Sequence, residues 1–215
     1  STGGGGAYGG SGGIGKQPNC GATAGWAGVN ISTANGTEIF MGSGGGGSNS
    51  NPSTSGGSGG ALVKINATYI NIFGNITVTG NVGGSGAVGD YSVGGAGGSG
   101  GGILLIGSKV NLIGGALYAV GGAGGSTSAG GTRCIGGSGG GGGRIKIFYY
   151  DYYNSSTTIV NDTSVLGGAG IGASGCTSGA SGNTGTVYLE QMNPCFGFNY
   201  NYSFTVNNTQ NSNNL

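Results

Sequence analysis

Short apolar segments recur along the chain, and each of them follows a run of glycines. Residues 97–106 read GGSGGGILLI, and similar junctions lead into Ile65 and Ile147. Ile65, Ile106, Ile147 and Tyr188 are equally spaced, and a fixed period of about 41 residues is typical of repeat architectures. The pattern divides the chain into repeats at about residues 1–55, 56–96, 97–137 and 138–190, followed by an extension at 191–215.

In the second and third repeats, apolar and polar residues alternate in short runs separated by turn residues. Alternation with a period of two predicts strands that have one buried face. Asn30, Asn71 and Asn111 occupy equivalent places, and we expect them to point outward, either as a ladder or as an incidental column. The residues predicted to face inward are Val63, Ile65, Ile70, Ile72, Ile76 and Val78 in the second repeat and Leu104, Ile106, Val110, Leu112, Leu117 and Ala119 in the third.

Three short strands with inward aliphatic side chains match one coil of a parallel β-helix. Such a coil buries its aliphatic residues only by stacking on further coils, about 4.8 Å apart. We expect the glycine-rich excursions to pack backbone against backbone in a polyproline-II-like geometry, because glycine carries no side chain; mobile glycine loops are the alternative. The predicted fold class is all-β: a right-handed parallel β-helix, or solenoid, of about four coils with long glycine-rich excursions and a C-terminal amphipathic strand.

The C-terminal extension has its own pattern. Between residues 196 and 206, aromatic or aliphatic side chains occupy every second position, which predicts one amphipathic strand. Such a strand can cover the end of its own sheet or add to the sheet of a neighbour. The residues of this predicted assembly strand are Phe196, Phe198, Tyr200, Tyr202, Phe204 and Val206.

Two resemblances accompany these patterns. The GGSGGG run before a short aliphatic strand, followed by V-N-L and A-L-Y-A-V-G-G segments, resembles the glycine-rich, pectate-lyase-like β-helix repeats of secreted and surface proteins over residues 56–166. Residues 196–206 resemble the donor strands of extracellular filament subunits, in which one subunit completes the next. The first resemblance implies a β-helix, and the second implies assembly by strand donation.

Composition removes several classes of partner. Sixty of the 215 residues are glycine, and the formal net charge is +1, from six basic and five acidic residues and no histidine. This balance provides no electrostatic footprint for nucleic acid or for an anionic membrane. No apolar stretch approaches the roughly 20 residues that a membrane-spanning helix needs.

Cysteines and glycosylation sequons indicate an extracellular location. The four cysteines form no C-x-x-C pair and the chain has no histidine, which disfavours a zinc site. Disulfides are a better interpretation than free buried thiols, and three pairings are open. N-x-Ser/Thr sequons predict covalent N-glycans. The predicted disulfide residues are Cys20, Cys134, Cys176 and Cys195, and the predicted glycosylation sites are Asn30, Asn35, Asn66, Asn75, Asn154, Asn161, Asn201 and Asn207.

The sequence carries few groups that could perform catalysis. Without histidine, Ser-His and Cys-His nucleophile systems are impossible. The glycine runs contain no G-x-x-x-x-G-K-[ST] phosphate-binding loop. Asp151, among tyrosines, is the best candidate for a sugar-binding patch, although a packed aromatic cluster is the simpler interpretation. The acids are too dispersed to predict a cluster, and they are Glu38, Asp90, Asp151, Asp162 and Glu190. We therefore predict no enzyme, no catalytic residue, no metal site and no cofactor.

The function that the sequence favours is structural. We predict a secreted, glycosylated subunit of an extracellular filament or surface layer, which self-associates head to tail through strand donation. A surface adhesin or carbohydrate-binding module without catalytic activity is the alternative. An ice-binding solenoid is disfavoured, because Thr77 and Thr79 give way to Tyr118 and Val120 one period later.

Overall fold

The computed structural model describes residues 1–17, 24–49, 53–87, 92–127, 134–155 and 163–193. The described part of the chain holds eight β-strands. They are β1 (Leu62–Asn66), β2 (Tyr69–Ile72), β3 (Ile76–Thr77), β4 (Gly102–Leu112), β5 (Leu117–Tyr118), β6 (Arg144–Ser155), β7 (Thr163–Ser164) and β8 (Thr186–Gln191).

The strands form two sheets in which every pairing is parallel. The larger sheet has the order β1-β4-β6-β8, with β2 also paired to β4, and the smaller sheet has the order β3-β5-β7. Leu62 pairs with Gly102, Gly102 pairs with Arg144, and Arg144 pairs with Thr186. Each of these residues follows its partner by one repeat of the sequence pattern. The sequence period therefore corresponds to the spacing between neighbouring strands.

The predicted right-handed β-helix of about four coils is wrong. The strands lie in one five-stranded and one three-stranded sheet, and no four-coil solenoid is evident. In its described part, the first predicted repeat contributes no strand. The lengths of two strands also differ from the prediction. β4 and β6 have 11 and 12 residues, whereas the sequence predicted several short strands in each repeat. β4 continues through Gly107, and its pairing with β6 changes register between Gly107 and Lys109, as at a β-bulge.

The register also differs from the predicted one by a single position. Ile65 pairs with Leu105 and not with Ile106, and Leu105 pairs with Ile147. Because side chains alternate between the faces of a sheet, a shift of one residue exchanges the faces. The prediction that Leu104 and Ile106 face the same core as Ile65 is therefore wrong, and both side chains lie on the opposite face.

The first core follows the rest of the predicted pattern. It contains the predicted inward residues of β2, β3 and β5 and of the segments after them. It also contains the residues of β4 and β6 that share this face of the sheet in the observed register. The Asn71 and Asn111 side chains form a ladder, because the Asn111 amide nitrogen Nδ2 donates to Asn71 Oδ1 at 2.7 Å. Asn30 does not extend this sheet, since residues 24–31 form no strand. The buried members of the first core are Ile70, Val78, Ile103, Leu105, Val110, Leu112, Leu117, Ala119, Ile145, Ile147 and Val165.

A second core lies on the other face of the large sheet. It consists of Leu104 and Phe148 from β4 and β6 and of Tyr8 and Ile39 from the N-terminal region. We call residues 1–17 and 24–49 the N-terminal cover. The cover packs across the sheet, whereas the sequence predicted a first coil at its end. Both faces of the sheet are therefore buried at its centre.

The glycine-rich segments are joined by backbone hydrogen bonds at every third residue. Gly97 N donates to Ser138 O at 2.8 Å, and Gly100 N donates to Gly141 O at 2.9 Å. Three residues are also the length of a polyproline II turn. A Cβ atom built on Gly97 would overlap the carbonyl oxygen of Gly122. The expected close approach of glycine backbones is confirmed.

Candidate functional site

The large sheet is buried at its centre and open at its last strand. Every residue from 134 to 148 is buried, whereas none of the equivalent residues from 176 to 190 is. The two segments are equivalent because Arg144 of β6 pairs with Thr186 of β8, 42 residues later. Residues 176–190 are therefore the last of the equivalent segments, and no further strand pairs with β8 on its outer side in the described part of the chain.

The outer edge of β8 presents backbone groups of alternate residues. Thr186 N donates to Gly143 O at 3.1 Å, and Met192 N donates to Tyr149 O at 2.7 Å, so the even-numbered residues face β6. In a parallel ladder, alternate residues bond to opposite neighbours. The N–H and C=O groups of Val187 and Leu189 therefore point to the open side. Their side chains are 37% and 36% exposed.

The opposite edge of the sheet is β1. Ala67 N donates to Ile106 O at 3.0 Å, and Gly102 N donates to Ala61 O at 3.1 Å. The odd-numbered residues of this strand therefore face β4, and the backbone groups of Leu62 and Lys64 point away from it. Within the described ranges, β1 pairs with no strand on that side.

Each open edge carries one charged residue. Glu190 on β8 is exposed, and its carboxylate oxygen Oε2 accepts a hydrogen bond from the Tyr188 hydroxyl at 3.0 Å. This hydrogen bond raises the pKa of Tyr188, and burial and the charge of Glu190 add to the rise. Lys64 on β1 is also exposed, and it lies on the same face of the sheet as Tyr188 and Glu190.

Two basic side chains at the centre of the sheet are buried, which the sequence reasoning missed. The Lys146 ammonium group Nζ donates to the backbone oxygens of Thr33 at 3.0 Å, Gly36 at 2.9 Å and Glu38 at 2.7 Å. Burial lowers the pKa of Lys146, and the charge of Arg144 lowers it further, while Glu38 opposes both. Lys146 thus fastens the N-terminal cover to β6.

Arg144 makes the second attachment of the cover. Its guanidinium nitrogen Nη2 donates to the backbone oxygens of Ile31 at 3.1 Å and Ser32 at 2.9 Å, and its Nη1 donates to Thr186 Oγ1 at 3.1 Å. Its carbon Cζ lies 5.7 Å from the centroid of the Tyr8 ring. Burial lowers the pKa of Arg144 and raises the pKa of Tyr8. One sequence signal was present: residues 103–106 of the neighbouring strand β4 are apolar at both parities, which is typical of a strand that is covered on both faces.

The structure divides the tyrosine run around Asp151. Tyr149 and Tyr153 pack on the first core with their ring centroids 5.7 Å apart, as the interpretation of a packed cluster expects. Asp151 itself is exposed, and its oxygen Oδ2 lies 3.8 Å from Lys109 Nζ. Tyr69 and Tyr152 pair with Lys109 from either side and are 64% and 47% exposed. The exposed aromatic surface therefore centres on Lys109.

One disulfide is present in the described part of the chain. Cys134 and Cys176 are bonded, with 5.0 Å between their Cα atoms, and the bond joins neighbouring glycine-rich segments. The disulfide prediction is confirmed for this pair. Cys20 and Cys195 lie outside the described residues.

The glycosylation sites stay predictions. The described sequon asparagines are all exposed, as attached glycans would require: Asn30, Asn35, Asn66, Asn75 and Asn154. Asn161, Asn201 and Asn207 lie outside the described residues. So does the whole predicted assembly strand, which consists of Phe196, Phe198, Tyr200, Tyr202, Phe204 and Val206.

The described residues contain no constellation typical of metal binding. No group of three or more His, Cys, Asp or Glu residues lies close enough among them to hold a metal ion. Glu38, Asp151 and Glu190 are on separate parts of the fold, and Asp90 and Asp162 lie outside the described ranges. In the same part of the chain, no helix has the length and apolar character to cross a membrane.

No family model, no curated protein and no solved structure matches the chain. The resemblances to pectate-lyase-like repeats and to filament subunits therefore stay predictions that rest on the sequence patterns.

Proposed function

We propose that the protein is a structural subunit of an extracellular filament or surface layer, and that copies of it join head to tail by strand addition. The observation that carries this proposal is that none of residues 176–190 is buried, whereas every residue of the equivalent segment one period earlier is buried. A strand edge with unpaired backbone groups is a template for another chain. Among the described residues, no strand pairs with the outer edge of β8, so this edge can act as such a template.

The positions of the two edges favour an open assembly. β1 and β8 lie at opposite ends of one parallel sheet, so a contact between them joins two different surfaces. Repeated contacts of this heterologous kind build filaments unless their rotation closes a ring. The Cys134–Cys176 disulfide and the exposed sequons support an oxidising, extracellular location.

Residues 196–206 are the proposed donor strand. They begin three positions after Asn193, the last described residue, and extended chain spans about 3.5 Å per residue. The donor strand therefore starts within about 10 Å of the end of the described chain, which has just left β8. We propose that this strand extends from one subunit to the next across the contact between them, which we call the joint.

Deletion of residues 196–206 should leave monomers under conditions in which the full chain forms fibres, because the donated contacts are lost. Negative-stain electron microscopy and sedimentation would measure this. Deletion of residues 208–215 is the matched control and should leave the fibres intact. Fibres that persisted without residues 196–206 would rule out the donor role of that segment.

A carbohydrate-binding adhesin is the second candidate, because exposed Tyr69 and Tyr152 flank Lys109 on neighbouring strands. Aromatic faces beside polar groups suit sugar recognition. If this is the function, the monomer should bind on a glycan array and lose at least about tenfold in affinity when Tyr152 is changed to alanine. Unchanged binding in Tyr152→Ala, or no binding by the parent chain, would exclude this surface.

A further inference from the structure

We propose that β8 of one subunit docks on β1 of a second copy and continues the parallel sheet, with Thr186 opposite Leu62 and Glu190 opposite Asn66. This inference rests on the proposed head-to-tail assembly and names its two surfaces. Three independent features of the edges agree with this register: the orientation of their backbone groups, the alignment of their aliphatic residues and their charges.

The backbone groups of the two edges are complementary. β8 presents the N–H and C=O groups of Val187 and Leu189, and β1 presents those of Leu62 and Lys64, as the hydrogen bonds to β6 and β4 require. With Val187 opposite Val63 of the second copy, Val187 N can donate to Leu62 O and Lys64 N can donate to Val187 O. The same alternation operates at each existing joint of the large sheet. A shift by one residue would place unmatched groups against each other.

The aliphatic residues continue across the proposed joint. Inside one subunit, Val63, Ile103, Ile145 and Val187 follow one another across the sheet, and Ile65, Leu105, Ile147 and Leu189 form the next row. Docking places Val187 beside Val63 and Leu189 beside Ile65 of the second copy. Val187 and Leu189 are 37% and 36% exposed in the single subunit, and the contact would bury them as their central equivalents are buried.

The charges of the two edges are also complementary. Lys64 of the second copy falls opposite Tyr188, and Glu190 is its diagonal neighbour on the same face. Diagonal neighbours in a sheet are within reach of long side chains. Lys64 is thus placed between an aromatic ring and a carboxylate of opposite charge. Asn66 projects from the face of the sheet, so a glycan at its sequon does not have to enter the joint.

The joint is too small to hold two subunits together by its backbone ladder alone. The strand β8 has six residues, whereas stable interfaces bury about 1,200 Å² or more. Neighbouring glycine-rich segments of the two copies would supply the remaining contact, and the ladder would set the register.

Charge reversal in the full-length chain tests the joint. Glu190→Lys places two lysines at the contact, Lys64→Glu places two glutamates there, and each variant should need about tenfold more protein to polymerise at low salt. Mixing the two variants restores an opposite pair at every joint, so the mixture should polymerise within about threefold of the parent concentration. Sedimentation across a concentration series measures all three. Lys16→Glu, an equal charge change on another exposed lysine, should behave as the parent chain.

The outcomes separate this proposal from the function on which it rests. A parent chain that forms no polymer at any concentration overturns both. A parent chain that polymerises, with both reversed variants polymerising equally well, overturns the β8–β1 joint and leaves head-to-tail assembly standing. Separate variants that fail and a mixture that also fails overturn the joint as well, because restored charge pairing then has no effect. Recovery in the mixture supports the joint and shows that both variants fold.

Discussion

Replacing Gly140 with alanine is expected to lower the free energy of unfolding by about 3 kcal/mol. A Cβ atom at this position would overlap the carbonyl group of Gly98 and meet the backbone nitrogen of Ser99. Backbone atoms cannot turn aside as a flexible side chain can. Gly140 N also donates to Gly122 O at 2.9 Å, so a displacement of this segment would break a hydrogen bond. Urea denaturation followed by circular dichroism measures the loss.

Gly74→Ala is the matched control for this substitution. No atom lies within 4 Å of a Cβ built on Gly74, and its backbone does not have a positive φ angle. Alanine there should change stability by no more than about 0.5 kcal/mol, in either direction. Equal effects at Gly74 and Gly140 would contradict the close packing of the glycine-rich segments. Mobile glycine loops, the alternative from the sequence, would give that result.

The sequence predicted the spacing of the strands but not their register. The run Ile103-Leu104-Leu105-Ile106 is apolar at both parities, so alternation cannot show which residues face which core. In the structure both faces are buried: Ile103 and Leu105 lie in the first core, and Leu104 lies in the second. The spacing also varies, because Asn71 pairs with Asn111, 40 residues later, whereas Arg144 pairs with Thr186, 42 residues later. A uniform period of about 41 residues lies between these two spacings, so it predicts the wrong register for both strand pairs.

The N-terminal cover could not be inferred from local patterns. Its attachments run from side chains of β6 to backbone carbonyls, such as that of Thr33, which is 113 residues from Lys146. A carbonyl group is common to all residue types, so the sequence carries no mark of an acceptor. The assumption that residues 1–55 form a first coil failed for the same reason. Residues 24–31 form no strand, and the cover instead buries the outer face of β4 and β6.

The candidate site was predictable in part. An open end follows from any stack of strands, and Asn71 and Asn111 were correctly paired from their spacing. The sequence did not show that β8 is the outermost strand of the sheet. Its residues, among them Thr186, Val187 and Leu189, alternate between the two faces as regularly as those of a central strand. Exposure depends on what lies next to the strand, and a strand pattern contains no information about that. Lys64 and Glu190, the charged residues of the proposed β8–β1 contact, therefore became recognisable only once the order of the strands was known.

Replacing Lys146 with alanine should lower the free energy of unfolding by about 4 kcal/mol. Its side chain is completely buried, and truncation both leaves a void and removes the donor to three backbone carbonyls. Desolvation of the ammonium group, which lowers the pKa of Lys146, offsets part of this contribution. Denaturant titration measures the total loss, and amide hydrogen exchange should show residues 31–40 opening first.

Two variants separate packing from hydrogen bonding at Lys146. Lys146→Met keeps most of the side-chain volume but cannot donate, so we expect it to recover about half of the stability lost in Lys146→Ala and to leave exchange at residues 31–40 still accelerated. Lys16→Ala truncates an exposed lysine and should change stability by less than about 0.5 kcal/mol. If Lys146→Ala costs no more than this control, or if residues 31–40 exchange as slowly as in the parent chain, the three carbonyl contacts do not hold the cover to the sheet. The cover would then owe its position to Tyr8 and Ile39 packing on Leu104 and Phe148 in the second core.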